Sequence, residues 1–146
     1  MVKIDFLSGY NPRRGFLSCD YIYTPRLDHI FDLSNYRIEG VEDNTVSSIR
    51  CSNALHHVQD LNALSHEFLR ILQNNGKLLI IECTEKAYKA NVLLDTIWYR
   101  SVNRRDDVWF SNTYRNYEST FTYRGFVLIN SCIKGIKEIK VFKKQF

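Results

Sequence analysis

The sequence predicts an α/β protein whose mostly parallel sheet closes on an antiparallel pair, and three observations carry that prediction. Leu78, Leu79, Ile80 and Ile81 form an unbroken apolar row, the pattern of a strand covered on both faces. Just before it, Leu61, Leu64, Phe68, Leu69, Ile71 and Leu72 fall at helical spacing. Near the end, apolar runs at 126–133 and 136–142 flank Lys134-Gly135, which reads as a hairpin turn.

The remaining elements follow in chain order. Residues 2–7 are a short apolar run halted by Ser8-Gly9, a buried strand ending in a turn. Residues 16–20 and 27–32 are two more such runs, each ending on an acid, Asp20 and Asp32. Residues 46–51 make a fourth strand. Asp60 precedes the helix over 61–72 as its N-cap. Asn74-Asn75-Gly76 stops that helix, since Asn or Gly can take the left-handed conformation. Helical patterns are expected at 84–99 and 112–123, with an irregular, aromatic and charged stretch at 100–117.

Bulk composition narrows the function classes. At 146 residues, 45% hydrophobic and 25% charged, the chain suits one globular domain over 1–146 and not a disordered tail. The net charge of +4 is spread over Arg13-Arg14, Arg104-Arg105 and a lysine-bearing tail, which argues against nucleic acid as the partner. The four cysteines, Cys19, Cys51, Cys83 and Cys132, show neither zinc-ligand nor disulfide-framework spacing. They read as buried free thiols in a reducing compartment. The opening residues lack the apolar core of a signal peptide, and no stretch reaches membrane-spanning length. A cytoplasmic protein is expected.

Short motifs then point to a family. Residues 4–9, Ile-Asp-Phe-Leu-Ser-Gly, resemble LDLGCG, the first motif of class I methyltransferases, with Asp5, Ser8 and Gly9 in place. Asn11-Pro12-Arg13-Arg14-Gly15-Phe16 and Cys19-Asp20 resemble the pattern GCG-x-NP-x-PGF-x-NVD of its short members. Ser52-Asn53-Ala54-Leu55-His56-His57-Val58 resembles SHVLEHV, and residues 70–80 resemble RVLKPGGKLLI. Tyr123-Arg124-Gly125-Phe126 is similar to the AGF that opens the sixth strand. The resemblance covers almost the whole chain. It departs at Leu7, which stands where the family has the first glycine of its cofactor loop.

The resemblance implies a Rossmann-like class I methyltransferase fold that binds S-adenosylmethionine beyond the carboxyl ends of its strands. Its implied cofactor-binding residues are Ser8, Gly9, Tyr10, Asp20, Tyr21, Asp32, Leu33, Ser52 and Asn53. Asp20 would accept the ribose hydroxyls, or else close its strand against solvent. Asp32 would accept the adenine amino group beside Leu33, or else cap a turn. Tyr10 and Tyr21 would flank the cofactor or simply pack. His56 is the candidate catalytic base, with His57 packing under its loop. No metal is implied. Trp98, Tyr99, Trp109, Phe110, Tyr114 and Tyr117, with Arg100, Arg104, Arg105 and Arg115, would shape an acceptor pocket or form a satellite core.

The expected activity is methyl transfer to an oxygen or nitrogen of a small-molecule substrate, such as a saccharide or metabolite. The alternative is a methyltransferase-like scaffolding subunit that has lost its cofactor, which Leu7 would permit. A homo-oligomer or a partner chain stays open.

Overall fold

The computed structural model describes residues 1–9, 11–84 and 111–146, apart from the side chains of His56, Cys83 and residues 111–116. The helix expected at 84–99 and most of the irregular stretch after it lie outside the described residues. The strands are β1 (Val2–Phe6), β2 (Leu17–Asp20), β3 (His29–Asp32), β4 (Arg37–Ile38), β5 (Val46–Ser52), β6 (Leu72–Cys83), β7 (Phe126–Lys134) and β8 (Lys137–Lys144). Two α-helices are described, α1 (Leu61–Ile71) and α2 (Ser111–Arg124), with a 3-10 turn at Leu55–His57.

All eight strands join one sheet in the order β4-β3-β2-β1-β5-β6-β8-β7. The pairs β1–β2, β2–β3, β1–β5 and β5–β6 are parallel. The pairs β6–β8 and β7–β8 are antiparallel, as the two C-terminal apolar runs predict. Their two-residue turn is Gly135-Ile136, one residue later than the sequence suggests, because Lys134 still pairs with Lys137. Gly135 takes φ 63, the conformation a tight hairpin asks of its first central residue.

Register brings the core residues into rows. Ile4, Ile49, Leu78 and Phe142 are successive partners across four strands, and all are fully buried. Both described helices cover this face. Phe68 of α1 meets Phe6 edge-on at 5.1 Å and stacks with Phe121 of α2 at 6.3 Å. Phe121 then meets Phe126 and Phe142, while Phe6 reaches Phe31 on the other side. A chain of aromatic contacts thus runs from β3 to β7, each favourable beyond the area it buries. On the opposite face Leu79 and Ile81 are only half-buried, next to Arg50 and Ser52. The apolar row of β6 is therefore sealed fully on one face alone.

The ends of α1 are held from a distance as well as locally. Asp60 accepts the Ala63 amide at 2.9 Å, as its N-cap position predicts. At the other end Lys144 donates to the Leu69 and Leu72 carbonyls at 2.7 and 2.6 Å, and the Asn44 amide donates to Arg70. Burial pushes the Lys144 ammonium below its ordinary pKa, opposed by the Asp43 charge. Glu67, buried on the same helix, accepts the Ile38 amide at 2.7 Å and ion-pairs with Arg70. That tie holds β4, a two-residue strand with no periodicity for a sequence reading to detect. The helix ends at Ile71 and the chain passes straight into β6, so Asn74-Asn75-Gly76 lies within the strand. Asn75 takes the left-handed conformation there, φ 63, where the register of β5 and β6 shifts.

Cys19 and Cys51 are buried free thiols, as expected, whereas Cys132 is exposed on β7. It pairs with Ile139 near the hairpin end, where no described element covers the edge strand. Burial pushes both buried thiols well above their ordinary pKa, with the Asp20 charge adding at Cys19 and the Asp5 charge at Cys51. Alkylation of the folded protein should therefore label Cys132 and spare Cys19 and Cys51 until denaturant is added. Peptide mass mapping checks this. Gly76→Ala should cost about 1–3 kcal/mol in urea unfolding. Its Cβ would stand 2.8 Å from the Gln73 carbonyl oxygen and 2.9 Å from the Leu72 side chain.

Candidate active site

Five parallel strands deliver their carboxyl ends to one edge of the sheet, in the order β3-β2-β1-β5-β6. Asp32, Asp20, the turn Leu7-Ser8-Gly9 and Ser52-Asn53 follow along that edge. In an open parallel sheet this edge is where ligands bind.

The turn after β1 has an unusual backbone. Leu7 takes φ 54 and Gly9 takes φ 59, both in the left-handed region. Glycine enters that region freely, whereas a leucine does so at a cost of about 1–2 kcal/mol. The backbone at position 7 thus has the conformation suited to the glycine that the sequence lacks. The Leu7 side chain is half-buried and packs against the core. A Cβ built on Gly9 meets nothing within 4 Å, so the space over this residue is open.

Asp20 is buried and joins that turn to β2. Its Oδ2 accepts the Gly9 amide at 2.8 Å, and its Oδ1 accepts the Tyr21 and Ile22 amides at 2.8 and 3.2 Å. Each carboxylate oxygen has two acceptor positions, so Oδ2 keeps room for one more donor. Asp32 accepts the Ser34 amide and hydroxyl at its Oδ1, at 2.8 and 2.7 Å. The Ser34 hydroxyl and then its amide lower the Asp32 pKa. The turn-capping role is present, and Asp32 Oδ2 has no partner among the described residues. Leu33 beside it is exposed. Tyr21 is half-buried and packs against the core.

Ser52 is half-buried at the end of β5, next to an exposed Asn53 with φ 51. The Asn53 amide donates to Ile81 of β6 at 2.8 Å. The 3-10 turn places the backbone of His56 at this edge, while its side chain and all of Tyr10 lie outside the described residues. So do the aromatic and arginine side chains between positions 98 and 116, whereas Tyr117 is buried in the core with its hydroxyl donating to Glu138 at 2.8 Å. His57 is half-buried under its own turn. Gly9 and Asp20 are thus joined by a direct hydrogen bond, whereas Asp32, Ser52 and Asn53 share the edge with no hydrogen bond to them among the described residues.

Three supporting residues escaped the sequence reading. Arg50 of β5 is the register partner of Asp5, and its Nη1 donates to both Asp5 oxygens at 3.1 and 3.0 Å. Asp5 also accepts the Arg13 amide at 2.8 Å, tying down the loop between β1 and β2. Asp28 accepts the Ser18 amide and hydroxyl, at 2.8 and 3.0 Å, and ties the next loop. Glu82, fully buried at the end of β6, accepts the Leu55 amide at 2.9 Å. A charge directly after the apolar row 78–81 was the available signal for Glu82. Among the described residues no group of three or more histidines, cysteines or acids is placed to hold a metal. No described helix is long and apolar enough to cross a membrane.

Comparison with known proteins agrees with this geometry. Residues 23–80 match the family model described as a methyltransferase domain. A solved S-adenosylmethionine-dependent methyltransferase of Listeria monocytogenes superposes with a TM-score of 0.66 at 13% identity, over 99% of this chain and 91% of that one. A protein described as a type 11 methyltransferase from Sulfolobus solfataricus gives 0.61 at 18% identity, over 99% and 84%. At these identities the likeness is one of fold. A stretch of 72 residues is 35% identical to a protein described as probable polyketide synthase 42 of Dictyostelium discoideum. That stretch is 47% of this chain and 3% of that protein, so the chain spans a small fraction of this curated relative.

Leu7→Gly should leave stability within about 1 kcal/mol of the parent, since relief of left-handed strain offsets the lost packing. Leu7→Ala should be the more damaging change, because it loses the packing and keeps the strain. Urea unfolding of both variants tests this order, and Ala at least as stable as Gly would disprove it.

Proposed function

We propose that this chain, built on the class I S-adenosylmethionine-dependent methyltransferase fold, binds S-adenosylmethionine at the edge just described. One arrangement carries the reading. The left-handed turn after β1 leaves open space over Gly9, while its amide is fixed at 2.8 Å on the buried Asp20 carboxylate at the neighbouring strand end. The residues present fit the cofactor. Gly9 permits close approach, Asp20 Oδ2 has an acceptor position for a ribose hydroxyl, and Asp32 Oδ2 can take the adenine amino group beside the exposed Leu33. Tyr10, Tyr21, Ser52 and Asn53 complete the proposed set, with Ser8 shaping the turn.

S-adenosylmethionine, when bound, supplies an electrophilic methyl group on a sulfonium sulfur. The chain's own work is alignment and proton management. Loop amides fixed on carboxylates hold the turn in one conformation, which favours reaction by removing freedom beforehand. We assign His56 as the base that takes the proton from a small hydroxyl- or amine-bearing acceptor, such as a saccharide or metabolite. The proposal includes a single domain over 1–146 and a cytoplasmic setting.

A second reading, a methyltransferase-like scaffold without cofactor, is favoured by Leu7 at the glycine position. Calorimetric titration with S-adenosylhomocysteine separates the two. Saturable binding is expected from the parent chain, and Asp20→Asn should weaken it by about 1–3 kcal/mol, because a charged acceptor is lost. Absence of binding by the parent would leave the scaffold reading.

A further inference from the structure

We infer that Glu82 is a positioning residue, a helix cap supplied from the neighbouring strand, which sets the loop after β5 in place for ligand. The inference rests on the proposed cofactor site for its ligand arm alone.

Residues 53–58 carry Asn53 and His56 and leave the sheet between β5 and α1. The 3-10 turn Leu55–His57 has Ala54 at its N-cap, with no side chain capping it locally. A first-turn amide without an acceptor is costly when buried, and Leu55 is fully buried. Glu82 answers this need from β6. Its Oε1 accepts the Leu55 amide at 2.9 Å, two residues beyond the bond from the Asn53 amide to the Ile81 carbonyl. These two bonds fasten the loop to the end of β6.

Burying a carboxylate costs free energy that an apolar residue would not. Position 82 follows four apolar residues and lies on the packed face of the sheet, where a leucine would otherwise serve. Among the described residues, the neighbouring charges on β8 and α2 pair with one another. Glu138, the register partner of Glu82 on β8, accepts from the Tyr117 hydroxyl and pairs with Lys140 at 3.0 Å, and Lys140 also pairs with Glu118 of α2. A charged acceptor holds an amide more firmly than a neutral one, and here that amide begins the turn bearing His56.

The test compares the parent chain with Glu82→Ala and Glu82→Gln. Glu82→Gln retains a carbonyl acceptor. Amide hydrogen exchange of Leu55, His57 and Val58 is followed by NMR, alongside titration with S-adenosylhomocysteine. In Glu82→Ala these amides should exchange about tenfold or more faster, while those of α1 hold their rates, and affinity should fall by about tenfold. Glu82→Gln should recover most of both.

Unchanged exchange at Leu55 in Glu82→Ala would overturn the cap. A loosened loop with unchanged affinity would overturn its role toward the ligand. Should the parent chain bind no S-adenosylhomocysteine, the cofactor reading fails and the ligand role with it, while the exchange arm still decides the cap. If Glu82→Ala does not fold, Glu82→Asp, one methylene short of the amide, carries both arms.

Discussion

Carboxylates that accept backbone amides hold this molecule's loops. Asp5 takes the Arg13 amide, Asp20 takes those of Gly9, Tyr21 and Ile22, and Asp28 takes that of Ser18. Glu67 takes the Ile38 amide and Glu82 that of Leu55. Parallel strands usually return through a crossover helix, which both spans the distance and covers the sheet. The connections from β1 to β2 and from β2 to β3 show no helix among their described residues. Irregular chain over a strand end must find acceptors for its amides or leave them stranded. Here the acids at and near the strand ends supply them, which is why several are buried despite their charge.

That arrangement makes Asp20 the closure of the turn after β1, and its Oδ2 keeps one acceptor position without a partner among the described residues. Such a residue is hard to interpret from mutation alone, because a change at the carboxylate proposed to meet ligand also frees three amides. The Arg50–Asp5 pair adds a support of the same kind one strand over. The arginine engages both carboxylate oxygens through one nitrogen, while its Nε is buried without a partner among the described residues. The pair fixes the loop through Asp5 more firmly than it satisfies Arg50 itself.

Much of the fold was legible because it is written in short-range patterns. The apolar row at 78–81, the helical spacing at 61–72 and the glycine hairpin each need only a few neighbouring residues. Asp60 was recognisable as a cap for the same reason. The placing of Gly9, Asp20, Asp32 and Ser52-Asn53 at strand ends was legible in the same way. What could not be read are ties between residues far apart in sequence, such as Glu82 to Leu55, Arg50 to Asp5 and Lys144 to the end of α1. Two residues of β4 offer no period, and they exist as a strand because Glu67 holds Ile38. Position 7 showed a departure from the family pattern without showing that the backbone kept the glycine-like conformation. Cys132 fits the apolar pattern of its strand, and only its place on the edge of the sheet reveals its exposure.

The helix-free connections also set what the chain gives up when its loops close. The carboxylate ties of the first three strands link residues 8, 11 and 10 positions apart. The pairing of Asp5 with Arg50, which seats β5 beside β1, spans 45. Loop-closure entropy rises with the logarithm of length, so the longer closure costs about 1.3 kcal/mol more than one of about ten residues. The N-terminal strands can therefore associate at small entropic expense, before the more distant segment arrives. Replacing either short connection with a full crossover helix would lengthen these closures and move their acids away from the amides they serve.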